Sequence, residues 1–325
     1  MARRLVGSVL AFLVIALLAA KLQTKQLKRG FYKRSCPLAE SIVRSTVEEF
    51  VEDDAGLPAA LIRLHFHDCF VGGCDSSILI KSTPENVAEM DNPANLGVGG
   101  FEVIDAAKVK LEAICPNTVS CADIIAFAAR DSVHISGHMF YNVPSGRRDG
   151  TTSLAAEVPK NLPSSSFDVR NLTKSFRSKG LSFKEMVALS GAHSIGEAHC
   201  SSFSSRLFSS NGSFKLDPSM ERSHAESLRA TCGRNDSDPT VLLDPVSPFL
   251  LDNNYYKQLK IRRGLLSSDQ VLWDTASSKP LVQRFINNPD VWGVEFRKAM
   301  IRMGKIRVLT GLRGQIRKNC SVVNN

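Results

Sequence analysis

Arg63, Phe66 and His67 stand at i, i+3 and i+4 in the run Leu57-Pro58-Ala59-Ala60-Leu61-Ile62-Arg63-Leu64-His65-Phe66-His67-Asp68-Cys69-Phe70. On a helix that spacing gathers a guanidinium, an aromatic wall and an imidazole on one face. The imidazole can pass a proton near neutral pH and the fixed cation can stabilise developing negative charge, so the trio reads as an acid–base site. Taken singly, a histidine here is more commonly a satisfied core side chain. His65-x-His67-Asp68-Cys69 also offers metal-ligand types, but an HxH pair diverges on a helix whereas HxxxH converges.

Directly afterwards Asp68, Val71, Gly73, Asp75 and Ser77 offer alternating oxygens in a Gly-rich loop. Hard oxygen donors in irregular backbone suit calcium better than a transition metal, although a plain turn has the same composition. A third candidate, His193, ends the apolar stretch 183–196 beside small residues that would let a flat ligand approach. In the same place Ala192-His193-Ser194-Ile195-Gly196 has the look of a variant nucleophile elbow, which would make Ser194 a hydrolase nucleophile. That alternative needs a strand before Ser194 and a late catalytic histidine, yet the preceding pattern is helical and the last histidine is His224.

The elements that must hold these groups read as helices. Pro58 and the Ala/Leu run favour one through 57–70. Residues 40–51 alternate charged and apolar groups, 101–114 place Val103, Ile104, Ala107 and Leu111 at helical spacing, and 121–130 are Ala-rich. Residues 167–177, 183–189 and 292–304 follow the same pattern, with Gly or Pro near their ends. Strand signals are few, and 82–100, 142–166 and 211–252 read as long loops. The fold class expected is mainly α, with two helical lobes around one cleft.

Bulk properties narrow the function. A chain of 325 residues that is 43% hydrophobic can bury a large core. Met1-Ala2-Arg3-Arg4 precedes an uncharged apolar run from Leu5 to Ala20. This is the form of a signal peptide cut near Ala20, or as late as residue 25, and the run is shorter than the about 20 residues of a spanning helix. Residues 21–325 would then be one unit without a membrane segment. The net charge of +9 suits a polyanionic extracellular matrix. No Lys/Arg cluster interleaved with aromatics points to nucleic acid. The 8 cysteines behind a leader imply an oxidising compartment and disulfides. Spacing alone leaves about 105 pairings open.

Together these motifs resemble the plant class III peroxidases. The resemblance runs through Phe31-Tyr32-Lys33-Arg34-Ser35-Cys36-Pro37, the 63–71 segment, Gly100-Phe101-Glu102-Val103-Ile104-Asp105, Gly146-Arg147-Arg148-Asp149 and Leu189-Ser190-Gly191-Ala192-His193-Ser194-Ile195-Gly196. It continues through Asp252-Asn253-Asn254-Tyr255-Tyr256, Ser268-Asp269-Gln270 and Met303-Gly304-Lys305 to Cys320. It implies a two-lobed helical peroxidase fold with one haem b between distal and proximal lobes, and two calcium ions. It pairs Cys36 with Cys115, Cys69 with Cys74, Cys121 with Cys320 and Cys200 with Cys232. His193 would be the axial iron ligand with Asp269 behind it. His67 would be the acid–base group, Arg63 the charge stabiliser, Asn95 the acceptor fixing the His67 ring, and Glu89 a carboxylate supporting that network. Phe66 would wall the site, and the carbonyl of Pro163 would meet phenolic donors. Asp68, Val71, Gly73, Asp75 and Ser77, with Glu89 through water, would hold the distal calcium. Ser194, Asp244, Ser247, Leu250 and Asp252 would hold the proximal one.

Some positions depart from the family pattern. Ser165 and Ser166 follow Pro163 where a second proline is common, Gly99 replaces a basic residue, Leu251 replaces an aromatic, and serine stands at two proximal calcium positions where threonine is usual. These touch donor binding and packing more than peroxide cleavage. The implied activity is hydrogen-peroxide-dependent oxidation of phenolic donors in one-electron steps through a ferryl haem, by a secreted monomer. With no apolar extension after Val323, the wall is favoured over the vacuole. Asn171, Asn211, Asn235 and Asn319 are sequons, the last containing Cys320. The competing readings are a catalytically weak haem protein that binds the wall, and the hydrolase using Ser194.

Overall fold

In the computed structural model, which describes residues 27–209, 212–233 and 238–325, the run that carries Arg63 and His67 forms a helix, Leu57–Phe70. The leader and the sequons at Asn211 and Asn235 lie outside the described residues. Numbered in chain order, the helices are α1 (Ala39–Asp53), α2 (Leu57–Phe70), α3 (Phe101–Ile114), α4 (Cys121–Gly137), α5 (Val158–Asn161) and α6 (Val169–Ser178). There follow α7 (Phe183–Ser190), α8 (Arg222–Cys232), α9 (Asn254–Lys260), α10 (Ser267–Asp274), α11 (Lys279–Asn287) and α12 (Pro289–Met303). Among the described residues strands are confined to two short antiparallel pairs, β1 (Lys28–Arg29) with β2 (Pro144–Ser145) and β3 (Glu197–His199) with β4 (Thr240–Leu242). The fold is mainly α, as the periodicity predicts.

Helix α4 is the centre of the first half. Its small and aliphatic side chains, among them Ile124, Ala128 and Val133, are buried on every side, and α1, α2 and α3 all pack against it. The sequence reading ended this helix at Arg130. It runs on to Gly137 because Arg130 pairs with Asp131 at 2.6 Å and with Glu40 at 2.7 Å, and Asp131 also meets Arg44 at 3.2 Å, so charge there does not mark a surface end. In the second half α7 packs on α12, and its start is fixed by a Ser182/Glu185 capping box. One buried apolar cluster runs through both halves, and a smaller one joins 198–207 to α8 and Leu265.

Two predicted loops carry helix. Within 142–166 the short α5 forms. Within 211–252 α8 forms because Glu221 caps it, its carboxylate accepting from the backbone N–H groups of Ser223 and His224. Only Ala225 and Leu228 are buried there, which is too narrow an apolar stripe for periodicity to register.

All 8 cysteines are paired: Cys36–Cys115, Cys69–Cys74, Cys121–Cys320 and Cys200–Cys232. Motif residues without evident chemistry lock the chain together. The Arg147 guanidinium donates to Asp123 at 2.7 Å and to the Gly304 carbonyl, while Asp123 also accepts from the Tyr32 hydroxyl at 2.7 Å. Asp149 accepts from the backbone N–H groups of Ala122 and Arg317, tying α4 to the C-terminal segment.

Candidate active site

Helix α2 presents Arg63, Phe66 and His67 on one face. His67 Nδ1 lies 2.6 Å from Asn95 Oδ1, and Asn95 Nδ2 donates to the main-chain carbonyl of Glu89 at 2.7 Å. Because the Asn95 oxygen can only accept, the proton of His67 sits on Nδ1 and Nε2 keeps its lone pair. Arg63 Nε donates to that Nε2 at 3.3 Å, and its terminal nitrogens donate to the carbonyls of Gly97 and Ala94. Burial first, then the Arg63 charge, pushes the His67 pKa down to about 3, against the pull of Asn95. His67 is therefore a neutral imidazole throughout the physiological range, its Nε2 lone pair met by the Arg63 donor. The Phe66 ring stands edge-on to His67 at 5.4 Å and packs on Phe70 at 4.4 Å.

A second imidazole is fixed from another element. His193 lies in the 3₁₀ turn Gly191–Ser194 after α7. Gly191 is needed there, since a Cβ would stand 2.7 Å from the Trp292 indole nitrogen and 2.8 Å from the Tyr256 hydroxyl. His193 Nδ1 lies 3.0 and 3.1 Å from the two oxygens of Asp269 on α10. Burial lowers its basicity, but the charge and hydrogen bond of Asp269 outweigh this and raise its pKa overall. No hydrogen bond engages Nε2, and the side chain is 40% exposed despite its packed surroundings. An imidazole held through Nδ1 by a carboxylate, with no hydrogen bond at Nε2 among the described residues, has the donor left over that a haem iron ligand needs.

The loop after α2 also presents a donor set that suits a cation. Both Asp68 oxygens, Ser77 Oγ and Glu89 Oε2 are buried without a hydrogen-bond partner. Burial, with the Asp75 charge added, raises the Asp68 pKa well above the carboxylate range and that of Glu89 to about 8. Such groups cost several kcal/mol unless a metal or proton meets them. Gly73 adopts φ +129° where a Cβ would stand 2.7 Å from that of Arg307, so only glycine lets this loop lie against the C-terminal segment. Contrary to the expectation of a supporting carboxylate, it is the Glu89 carbonyl that supports Asn95, while its buried carboxylate feels the Asp75 charge.

The proximal set converges too. Ser194 Oγ donates to the Leu250 carbonyl at 3.0 Å and lies 3.2 Å from Asp252 Oδ1, while Ser247 Oγ is 3.4 Å from the buried Asp244. Among the described residues no three His, Cys, Asp or Glu side chains form a metal cluster. Both sets therefore depend on hydroxyl and carbonyl oxygens, as calcium accepts. No strand precedes Ser194, and its hydroxyl is committed to Leu250, so the nucleophile-elbow reading has no structural support.

Pro163 stands in a segment anchored by Ser165, which accepts from the Ser268 N–H at 2.9 Å and donates to the Ser202 carbonyl at 3.0 Å. Sequence reasoning passed over Tyr255 and Tyr256 as mere carriers of a motif. Tyr255 donates to Asp269 Oδ1 at 2.8 Å, and Tyr256 donates to the Val187 carbonyl at 2.8 Å, holding α7.

The peroxidase family profile matches residues 43–288. Peroxidase 5 of Vitis vinifera is 49% identical over 316 residues, 96% of each chain. Peroxidase 1 of Zea mays is 45% identical, covering 98% of this chain and 88% of its own. Peroxidase 50 of Arabidopsis thaliana is 42% identical, over 98% of both. The chain belongs to the peroxidase family, in its plant class III branch. It is a haem peroxidase that oxidises donors with hydrogen peroxide, and its cofactors are haem b and two calcium ions.

Proposed function

We propose that His67 and Arg63 carry out peroxide activation and that His193 would ligate the haem iron. The observation that carries this reading is the pair of imidazoles on separate elements, each with Nδ1 secured by a dedicated acceptor, Asn95 in one case and Asp269 in the other. When bound, haem supplies a redox-active iron that can cleave the peroxide O–O bond. His67 Nε2 takes a proton from hydrogen peroxide and returns it to the departing oxygen, so water leaves rather than hydroxide. The Arg63 guanidinium stabilises the charge that develops between these transfers. Asn95 keeps the proton of His67 on Nδ1, and Phe66 excludes bulky donors from the peroxide pocket. Phenolic donors meet the enzyme near the Pro163 carbonyl and give up electrons singly. Asp68, Val71, Gly73, Asp75 and Ser77, with Glu89 through water, would hold one calcium, and Ser194, Asp244, Ser247, Leu250 and Asp252 would hold the other.

The helices before and after the 138–166 connection form the distal and proximal lobes around haem. Residues 1–20 are removed as a signal peptide, and the mature chain acts as a monomer in the cell wall, where its net positive charge holds it to acidic polysaccharide. Absorption spectra before and after equimolar peroxide test the core of this reading. Wild-type protein gives a Soret band that changes at once, His67→Leu keeps the band but responds slowly, and His193→Ala loses the imidazole-ligated spectrum. A prompt response in His67→Leu would remove His67 from the mechanism.

A further inference from the structure

We infer that Tyr255 moderates the electron-donating strength of His193 by sharing the Asp269 carboxylate. The inference rests on the reading that His193 ligates iron, and it assigns a positioning role to a side chain outside that reading. The Tyr255 hydroxyl lies 2.8 Å from Asp269 Oδ1, the same oxygen that stands 3.0 Å from His193 Nδ1. Both groups donate, so the carboxylate divides its charge between them. A carboxylate serving only the imidazole draws its proton further and gives the ring more imidazolate character; a competing hydroxyl holds that character down.

The surroundings keep this competition in place. Tyr255 is buried, and burial together with the Asp269 charge raises its pKa well above the usual phenol value, so the hydroxyl remains a donor. Its ring packs edge-on against Tyr256 at 4.9 Å. Tyr256 is itself fixed to the Val187 carbonyl, so the phenol cannot swing away without disturbing α7. Asp269 is buried among these partners, where a hydrogen bond counts for more than in water.

The test uses haem-loaded wild type and Tyr255→Phe, read by the ferric/ferrous midpoint potential and by the iron–imidazole stretching frequency in resonance Raman spectra. Loss of the hydroxyl is expected to move the potential to more negative values and the stretch to higher frequency. A phenol that merely orients the carboxylate predicts the opposite signs, because the His193 hydrogen bond would then weaken in the variant. Replacing Tyr255 by 3-fluorotyrosine keeps the shape, strengthens the donor and is expected to shift both readouts the other way; this form serves even if Tyr255→Phe fails to fold. Unchanged or reversed shifts overturn the inference alone. Haem bound in the wild type without an axial imidazole overturns the underlying reading, and the inference with it.

Discussion

Calcium removal should destabilise this protein far more at pH 8 than at pH 5, with Glu89 a main source of the difference. Its pKa is pushed up from 4.5 to about 8, mainly by burial and further by Asp75. Asp68 is shifted in the same direction, again by burial first. An unfolded chain ionises these groups above about pH 4. Between that point and pH 8 the calcium-free folded chain holds protons that the unfolded chain has released. Its stability is thus complete below the unfolded pKa and is lost as pH rises through the folded one. At about 1.4 kcal/mol per pKa unit, Glu89 alone accounts for up to about 5 kcal/mol over this window. Calcium pairs with the ionised carboxylates and removes the penalty, so its stabilising effect grows with pH. At about 2–4 °C per kcal/mol the gap in melting temperature between calcium and chelator should widen on the order of 10 °C from pH 5 to pH 8. Scanning calorimetry of the haem-loaded protein in both conditions measures it, and Glu89→Gln should narrow the widening. A gap that stays constant with pH, or an unchanged slope in Glu89→Gln, would refute the reasoning.

Stopped-flow mixing with peroxide should find His67→Leu slower by about 10²–10⁴-fold, the usual worth of a general acid–base group. Arg63→Leu should lose about 10²–10³-fold in the same assay, as expected for one electrostatic stabiliser. In the wild type the rate should stay flat from pH 8 to pH 5 and fall only as His67 gains a proton near its lowered pKa of about 3; a half-loss near pH 6.5 would contradict the burial argument. Asp123→Ala strands the Arg147 guanidinium and the Tyr32 hydroxyl and should cost about 3–5 kcal/mol in denaturant unfolding.

Much of the site was legible because its spacing is helical. Arg63, Phe66 and His67 fall within three consecutive contacts of one turn, and Pro58 marks where the helix begins, so α2 could be read from residue types alone. Longer-range relations were not legible in this way. His193 and Asp269 meet across 76 residues, and His67 and Asn95 across 28, distances over which no local pattern operates. Only resemblance supplied those partners. Glu89 shows how that route can mislead in detail: its name fitted a supporting carboxylate, but the backbone oxygen does the supporting. Tyr255 was missed because nothing in its own sequence neighbourhood distinguishes a core tyrosine from one that shares a carboxylate. Helix α8 was missed for a different reason, its stability coming from a cap and the Cys200–Cys232 bond rather than from a wide apolar face.

The positions of His67 and Asp68 tie peroxide chemistry to the calcium loop. They are consecutive on α2, so their side chains diverge by about 100° around the helix, one toward Asn95 and one into the buried cluster with Asp75 and Glu89. Glu89 closes the circuit from the other side, since its carbonyl holds Asn95 while its carboxylate lies with Asp75. Any shift of the loop that relieves unpaired carboxylates must therefore pull on both ends of the His67–Asn95 hydrogen bond. On the proposed assignment, a cation held by this loop would steady the Asn95 contact that sets the tautomer and aim of His67, and losing it should weaken peroxide activation before the helices unfold.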